Sequence, residues 1–338
     1  MAAEKCKDRA VEYYKAERYL LAIKQLHHAK IKWFSAENIR GSLMSMLILS
    51  DCYRKLGLIY PAKYYAACVA FLAHHGDDDG IKSLIPRALF MYADCCFQGG
   101  EWLTFAHISR WALAAHNIYE EYPLDIEKHK DLQRLFVHAA IVRTVAKRFG
   151  ENLSAAFDEV LSKWPVDPGT RAGIEALSTS DTSYWQTASI EDFWKTAETE
   201  LWGRPFSDVG GRRSVCWKAL GVSWVAEFEN NHLTTCMSEE FVSTLQIILA
   251  DLAIKDLVLL PTSVHISIHV TNGQQVDVQE VPDNKVATWR VGFPQAWVKN
   301  LDALHDVRTA VLSLAVTVLG KCSMLSYESF FGEIERVI

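Results

Sequence analysis

The sequence predicts an α+β protein, in which an N-terminal all-α solenoid of helical hairpins precedes a smaller α+β domain with an antiparallel sheet. Three observations lead to this fold class. Apolar residues recur at helical spacing through residues 2–163. Apolar and polar residues alternate over residues 221–228 and again after residue 263, which is the period of a strand. Between the two patterns the composition changes to one that is typical of a linker.

The chain is therefore expected to have three segments. A helical repeat domain covers residues 1–164, a linker with one short amphipathic helix covers 165–212, and the α+β domain covers 213–338. The linker opens with PVDPGTRAG and closes with RPFSDVGGRR. Proline and glycine interrupt regular helices and strands, so both stretches are predicted to be irregular.

Composition indicates a soluble globular protein. Of the 338 residues, 50% are hydrophobic and 22% are charged, which are ordinary values for this class. No apolar run reaches the roughly 18 residues that a membrane span needs, and the N-terminus is too polar for a secretory signal. The eight cysteines include no CxxC pair, which predicts free thiols in a reducing compartment. We therefore expect a cytoplasmic protein that does not associate with a membrane.

Charge is divided unevenly along the chain. The net charge is −6. Residues 1–163 carry 22 Lys and Arg against 19 Asp and Glu, a balance of +3, which leaves −9 for the remainder. An acidic chain seldom binds nucleic acid over its whole surface. A protein or peptide partner is therefore favoured over nucleic acid, and the oligomeric state is left open.

Residues 47–71 predict two helices folded back on each other around Gly57. Glycine supplies the backbone freedom that a tight turn needs, and alanines on one face of the second helix allow close approach. A single hairpin cannot bury its apolar face alone, so neighbouring hairpins must stack on it. Further turns are predicted at Glu17, Gly100 and Gly150. An irregular helical bundle is the alternative arrangement.

The hairpins share a set of small and aromatic positions. Five residues after the successive turns come Ala22, Ala62, Phe105 and Ala155. Later small positions and first-helix aromatic positions are filled by Ala29, Ala112, Tyr14 and Tyr53. In these positions residues 2–163 resemble the tetratricopeptide repeat family. The turns lie 40, 43 and 50 residues apart, which exceeds the family's period of about 34, and two of the positions depart from its pattern.

The C-terminal domain is predicted to contain a strand, a helix, three further strands and two closing helices. Ser238 is expected to cap a helix, and two further helices are expected near 301–320 and 325–337. Strands on either side of Asn272-Gly273 are expected to form an antiparallel hairpin with a three-residue loop. That register places His269 opposite Asp277, so that one face of the hairpin is apolar and the other polar.

Three patterns suggest metal or phosphate binding, and we reject each. Asp77, Asp78 and Asp79 lack the alternating oxygens of a calcium loop. His265 and His269 lie about 13 Å apart along one strand, too far to share a zinc ion. A phosphate loop needs spaced glycines, which Gly210-Gly211 does not supply. No pattern predicts a metal or a cofactor.

No catalytic residue is predicted, and we do not expect the chain to be an enzyme by itself. The sequence has no G-x-S-x-G and no H-E-x-x-H pattern. Cys322 follows a lysine, but it lies in an apolar helical stretch and is expected to be buried and inert. Eight of the eleven tryptophans fall between Trp164 and Trp297, where we expect them to pack in the core. An exposed aromatic docking surface is the alternative.

One set of residues is a candidate partner-binding site. The resemblance to the repeat family implies that two positions just before each turn face the concave surface of the solenoid. The basic residues at these positions are Lys15, Arg54, Lys55, Lys147 and Arg148. We expect them to be partly exposed and to bind the carboxylates of an acidic peptide, or phosphates. The alternative is that they merely complement the dipoles of their helices.

These observations favour an interaction module or scaffold, whose helical-repeat groove binds an acidic peptide or protein. The second hypothesis is the regulatory or sensor portion of a larger multidomain enzyme, such as a bacterial defence or signalling protein. Its catalytic part would lie outside this chain. A third is an enzyme whose active site lies in the α+β domain. The identity of the partner does not follow from the sequence.

Overall fold

The computed structural model describes residues 2–98, 102–119, 205–209, 212–229, 231–281, 286–299, 301 and 304–324. The chain forms two compact units. The first comprises Met1–Arg54 and Ala62–Leu201, and the second comprises Lys55–Pro61 and Trp202–Ile338. The predicted turn at Gly150 and the predicted linker helix lie outside the described residues, as does the helix predicted near 325–337.

The described part of the first unit is entirely helical. Its helices are α1 (Ala2–Lys15), α2 (Tyr19–Ser35), α3 (Ile39–Lys55), α4 (Ile59–His74), the one-turn α5 (Asp79–Lys82), α6 (Ile85–Gln98) and α7 (Trp102–Tyr119). Consecutive helices pack as hairpins, α1 on α2 and α6 on α7. The N-terminal segment is therefore a stack of helical hairpins, as the sequence predicts.

Tight turns with left-handed backbone join the long helices. Glu17 lies between α1 and α2 at φ 57°, and Gly57 lies between α3 and α4 at φ 73°. These are the predicted turn positions. Glu37, between α2 and α3, has the same geometry at φ 57°. A non-glycine residue is strained in this region, so two of these three turns form against a local backbone cost. The predicted turn at Gly100 falls in the undescribed residues between α6 and α7.

Small residues allow the helices of the stack to approach closely. Three of the four positions five residues after a turn, Ala22, Ala62 and Phe105, are completely buried. The later small positions Ala29 and Ala112 are buried as well. The fourth position, Ala155, lies outside the described residues. The core of the hairpin stack thus uses the residues that the repeat pattern indicates.

The second unit contains a six-stranded mixed sheet. Its strands are β1 (Pro205–Val209), β2 (Arg212–Ala219), β3 (Val222–Phe228), β4 (Ser263–Thr271), β5 (Asp277–Val281) and β6 (Ala287–Pro294). The order across the sheet is β1-β2-β3-β4-β6-β5. β4 runs parallel to both β3 and β6, and the other pairs are antiparallel. The α+β class is confirmed, but the sheet is mixed rather than antiparallel.

The predicted hairpin between β4 and β5 is wrong. β6 lies between these two strands and pairs with both, so that His269 and Asp277 each face Gly292 of β6 from opposite sides. The reason is burial. β6 carries the apolar residues Trp289, Val291 and Phe293, all buried, whereas most of β5 is exposed. An apolar strand gains more in the interior of a sheet, and a polar strand is suited to its edge.

β1 lies in the segment that was expected to be a linker. It pairs with β2 through Val209 and Arg212, so the sheet begins at Pro205 rather than after residue 212. The glycine pair that suggested an irregular stretch lies between β1 and β2 in the sequence. β1 is only five residues long, too short for strand alternation to be recognised within a stretch of linker composition.

Helices cover the apolar face of the sheet. α8 (Asn231–Ile254) packs on β2 and β3, and α10 (Leu304–Cys322) packs on β5, β6 and α8. A one-turn helix, α9 (Gln295–Val298), follows β6. α8 begins seven residues before the predicted cap at Ser238, because Leu233 and Met237 continue its buried stripe toward the N-terminus. Helical periodicity outweighed the local capping signal.

The core of the sheet confirms the predicted alternation. Val264, Ile266 and Ile268 are buried along β4, and β3 alternates in the same way. Trp217 and Trp224 stack with ring centroids 5.8 Å apart, and both are buried. Trp289 is buried too. These three tryptophans are therefore core residues and do not form an exposed aromatic surface.

The segment between α3 and α4 is part of the second unit. The N–H of Leu220 donates to the carbonyl of Leu56 at 2.7 Å. The N–H of Tyr60 donates to Oε1 of the completely buried Gln246 at 3.3 Å. A Cβ on Gly57 would lie 2.0 Å from the carbonyl oxygen of Lys218. Gly57 thus permits both a left-handed turn and a close backbone approach.

We predict that Gly57→Ala destabilises the protein far more than Gly221→Ala does. Both glycines have positive φ, 73° and 78°, so each substitution incurs a left-handed penalty of about 1 kcal/mol. A Cβ on Gly221 meets nothing within 4 Å. Only the Gly57 variant must also relieve an overlap with backbone, which adds about 1–3 kcal/mol. Denaturant unfolding of the full chain measures the difference. Equal losses in the two variants would contradict the close approach at Gly57.

Candidate functional site

The structure separates the predicted basic site into residues with different environments. Lys15 is the last residue of α1 and is exposed. Lys55, the last residue of α3, is also exposed, but it belongs to the second unit. The side chain of Arg54 is only 11% exposed. Lys147 and Arg148 lie outside the described residues. The predicted site is therefore not a row of equivalent exposed cations.

Arg54 is held between two carboxylates. Its Nη2 lies 2.5 Å from Oδ1 of Asp51 on the same helix, and its Nη1 lies 3.1 Å from Oδ2 of Asp94 on α6. Burial lowers the pKa of Arg54, but the charges of Asp94 and Asp51 raise it by a larger amount. The pKa of Arg54 is therefore above its ordinary value. The guanidinium therefore stays charged, and both carboxylates compensate that charge.

The same kind of contact joins the first two hairpins. The hydroxyl of Tyr14 on α1 donates to Oδ2 of Asp51 on α3. Burial, followed by the hydrogen bond and the charge of Asp51, raises the pKa of Tyr14, so the phenol stays protonated as a donor. Tyr14 and Arg54 each lie three residues before a turn, and Asp51 and Asp94 each lie six residues before the next one. One repeating contact thus links α1 to α3 and α3 to α6.

We call this set the polar ladder: Tyr14, Asp51, Arg54 and Asp94. Arg54 retains only 11% exposure, because its position before the turn points toward the next hairpin. The missed signal is the recurrence of aspartate at matched positions within apolar helical stretches. A buried carboxylate needs a partner, so Asp51 and Asp94 could have been paired with the neighbouring hairpin from the sequence.

A second polar cluster lies between α2, α3 and α4. Nε2 of His27 lies 3.1 Å from the hydroxyl of Tyr53, and the His27 ring contacts the edge of Tyr65. Tyr53 and Tyr65 stack with centroids 5.7 Å apart. The amino group of Lys30 lies 5.2 Å from the centre of the Tyr65 ring, which suits a cation–π contact. Tyr53 thus takes part in packing between hairpins.

Burial controls the ionisation of this cluster. Burial, followed by the nearby charges of Lys30 and His28, lowers the pKa of His27 to about 4. Burial also lowers the pKa of Lys30 and raises that of Tyr65 to about 12. At neutral pH His27 is uncharged and Tyr65 is protonated. His27 and Tyr65 therefore contribute packing and hydrogen bonding as uncharged side chains.

The polar face of the sheet does not bring its histidines together. Nε2 of His265 lies 3.2 Å from Oε2 of Glu227 on the neighbouring strand β3. His269 and Asp277 are two strands apart, about 10 Å, because β6 lies between them. Within the described part of the chain, no three His, Cys, Asp or Glu side chains are grouped to hold a metal ion.

Two buried cysteines, Cys52 and Cys322, lack the environment of a nucleophile. Cys322 is buried at the end of α10, and burial raises its pKa to about 12. Burial likewise raises the pKa of Cys52 to about 12. A thiol with such a pKa stays protonated near neutral pH and is a poor nucleophile. This agrees with the expectation that Cys322 is inert.

Comparison with known proteins does not assign the chain. No family model, no curated protein and no solved structure matches it. None of the helices in the described ranges is long and apolar enough to cross a membrane. Function must therefore be argued from the geometry of this chain alone.

We predict that Arg54→Met is strongly destabilising and that Lys55→Met is nearly neutral. Removal of the Arg54 guanidinium leaves the carboxylates of Asp51 and Asp94 without the cation that they share. We expect the free energy of unfolding to fall by about 3 kcal/mol. Lys55 is exposed, and such substitutions usually change stability by less than about 0.5 kcal/mol. Denaturant midpoints of the two full-length variants provide the measurement. A neutral Arg54→Met would show that the ladder does not stabilise the stack.

Acid should destabilise the protein through His27. Its pKa is about 4 in the folded chain and about 6.5 when unfolded, so the unfolded state binds the proton first. Stability is therefore fully present above pH 6.5 and is lost as the pH falls toward 4, by up to about 1.4 kcal/mol per pH unit. In His27→Gln the loss of stability between pH 7 and pH 5 should be smaller.

His28→Gln is the matched control, since His28 is an exposed neighbour on the same helix. The chemical change is identical, but His28→Gln should retain most of the acid sensitivity of the wild type, because burial, the largest cause of the low His27 pKa, is unchanged. It should lose only the smaller part that comes from the charge of His28. Unfolding free energies at several pH values test both variants. An unchanged slope in His27→Gln would mean that another group causes the acid sensitivity.

Proposed function

We propose that the helical unit is a protein-interaction module of the tetratricopeptide type, which binds an acidic peptide or protein through the surface of its first helices. The hairpin packing of α1 to α4 supports an extended, repeated surface rather than a closed active site. Lys15 supports the proposal most directly, because it is exposed in the last turn of α1 and can contact a partner. Lys55, Lys147 and Arg148 complete the predicted set.

Arg54 has a different role in this proposal. Its charge is already used by Asp51 and Asp94, so it positions the hairpins and does not contact the partner. An exposed lysine such as Lys15 attracts carboxylates at long range and forms charge-assisted hydrogen bonds on contact. The partner should therefore be acidic, and binding should depend on ionic strength.

We propose that the module works as a scaffold in the cytoplasm. Six of the eight cysteines are free, which suits a reducing compartment: Cys6, Cys52, Cys68, Cys95, Cys96 and Cys322. Buried thiols such as Cys95 and Cys96 lie inside the hairpin stack, where oxidation would disturb close packing.

Charge reversal at Lys15 tests the proposed surface. Fluorescein-labelled hexaglutamate should bind the full chain more tightly than hexaglutamine, and added salt should weaken the difference. Lys15→Glu should reduce hexaglutamate affinity by about threefold to tenfold, because one attraction becomes a repulsion. Fluorescence anisotropy gives the dissociation constants. Circular dichroism confirms that the variant remains folded.

The control is Lys299→Glu, which makes the same change at an exposed lysine of the second unit. It should leave hexaglutamate binding unchanged. If Lys15→Glu binds like the wild type, or if both variants lose affinity equally, the first-helix surface is not the binding site.

A further inference from the structure

The second helix of each described hairpin exposes large apolar side chains. Six such residues are between 61% and 70% exposed: Ile31 and Phe34 on α2, Tyr64 and Phe71 on α4, and Trp111 and Ile118 on α7. Single exposed apolar residues are ordinary on protein surfaces. Here they recur on the second helix of every described hairpin, and four of the six are aromatic. Aromatic residues in exposed groups mark interaction sites.

Each pair lies on one side of its helix. Tyr64 and Phe71 are seven residues apart, as are Trp111 and Ile118, and seven residues bring the helix round to the same face. The buried residues of α4, among them Ala66 and Val69, point into the core of the stack. The exposed residues therefore lie on a different side of the helix from the residues that form the core. We call these six residues the outer face.

The helices that carry the outer face contain no acidic residue. Over the whole of α2, α4 and α7 there is no Asp or Glu, and every charged side chain is basic. Lys30 and Lys63 lie over the rings of Tyr65 and Tyr92, whereas Lys32 and Arg110 are exposed; Lys24 is half-buried. In the described part of the first unit, all acidic residues lie on α1, α3, α5 and α6 or in the connections. Apolar and basic groups are thus combined on one set of helices.

We propose that the outer face binds an amphipathic helix of a partner protein, with apolar residues on one side and carboxylates along its edges. The apolar side would cover Phe71 and Trp111, and the carboxylates would meet the exposed cations Lys32 and Arg110. This inference rests on the proposed role as an interaction module and adds a second surface, separate from Lys15.

Dimensions agree with this occupant. α2 contacts α4 through His27 and Tyr65, and α4 and α7 share one buried apolar cluster. Packed helices lie about 8–10 Å apart, so a segment crossing α2, α4 and α7 spans about 20 Å. A helix of about 13 residues has this length. Contact between the outer faces of two copies of this chain would instead bring basic residues together, which opposes a symmetric dimer through this surface.

Two designed peptides test the inference on the full-length chain. One carries leucine on one helical face and glutamate on the other, and its counterpart has lysine in place of each glutamate. The acidic peptide should bind with saturation, and the basic one should bind at least about tenfold more weakly. Phe71→Glu combined with Trp111→Glu should reduce acidic-peptide affinity by about tenfold or more, because it removes two anchors and adds two repulsions.

Matched variants separate this surface from others. Leu259→Glu makes the same change at a 75% exposed leucine of the second unit and should bind the peptide like the wild type. Lys15→Glu should also retain binding of the amphipathic peptide, while its affinity for hexaglutamate is reduced. If only Lys15→Glu lost binding of the amphipathic peptide, the outer face would not be its binding site, and the proposed function would be unaffected.

The same experiment distinguishes other ligands of the outer face. Equal binding of the acidic and basic peptides, or no saturable binding of the acidic one, overturns the inference. So does binding to phosphatidylserine vesicles that the double variant abolishes, because the occupant would then be a lipid surface. Sedimentation that shows concentration-dependent association of the wild type, lost in the double variant, would assign the face to a second copy of this chain.

Discussion

The salt link between Arg54, Asp51 and Asp94 is the constraint on which the hairpin stack depends. Alanine contacts bring helices close but do not distinguish one helical register from the next, since apolar packing has little direction. Charged hydrogen bonds are directional and become costly when one partner is displaced in a buried place. The polar ladder therefore specifies how each first helix aligns with its neighbour, while the apolar contacts supply most of the stabilisation.

Features that depend on local sequence could be predicted. The turns at Glu17 and Gly57, the buried alanines of the second helices and the alternation along β3 and β4 all follow from periods of a few residues. Their causes lie within one helix or one strand, so a single sequence contains them. The class of each domain followed from these same periods.

Features that depend on contacts between distant segments could not be predicted in the same way. Asn272-Gly273 is a strong local hairpin signal, yet burial of the apolar β6 determined the order of the sheet. Arg54 was expected to face a partner because nothing next to it in the sequence showed Asp94, which is forty residues further on. The outer face was overlooked since its residues lie on three helices that are far apart in sequence.

The discontinuous second unit has a consequence for the order of folding. Residues 55–61 are synthesised about 140 residues before Trp202, where the main part of that unit begins. Closure of so long a loop carries an entropic cost that only the finished sheet can offset. During synthesis the carbonyl of Leu56 therefore has no Leu220 N–H to accept from, and it remains accessible to solvent until the turn at Leu220 has formed. The last-made part of the chain thus completes the environment of one of its earliest turns.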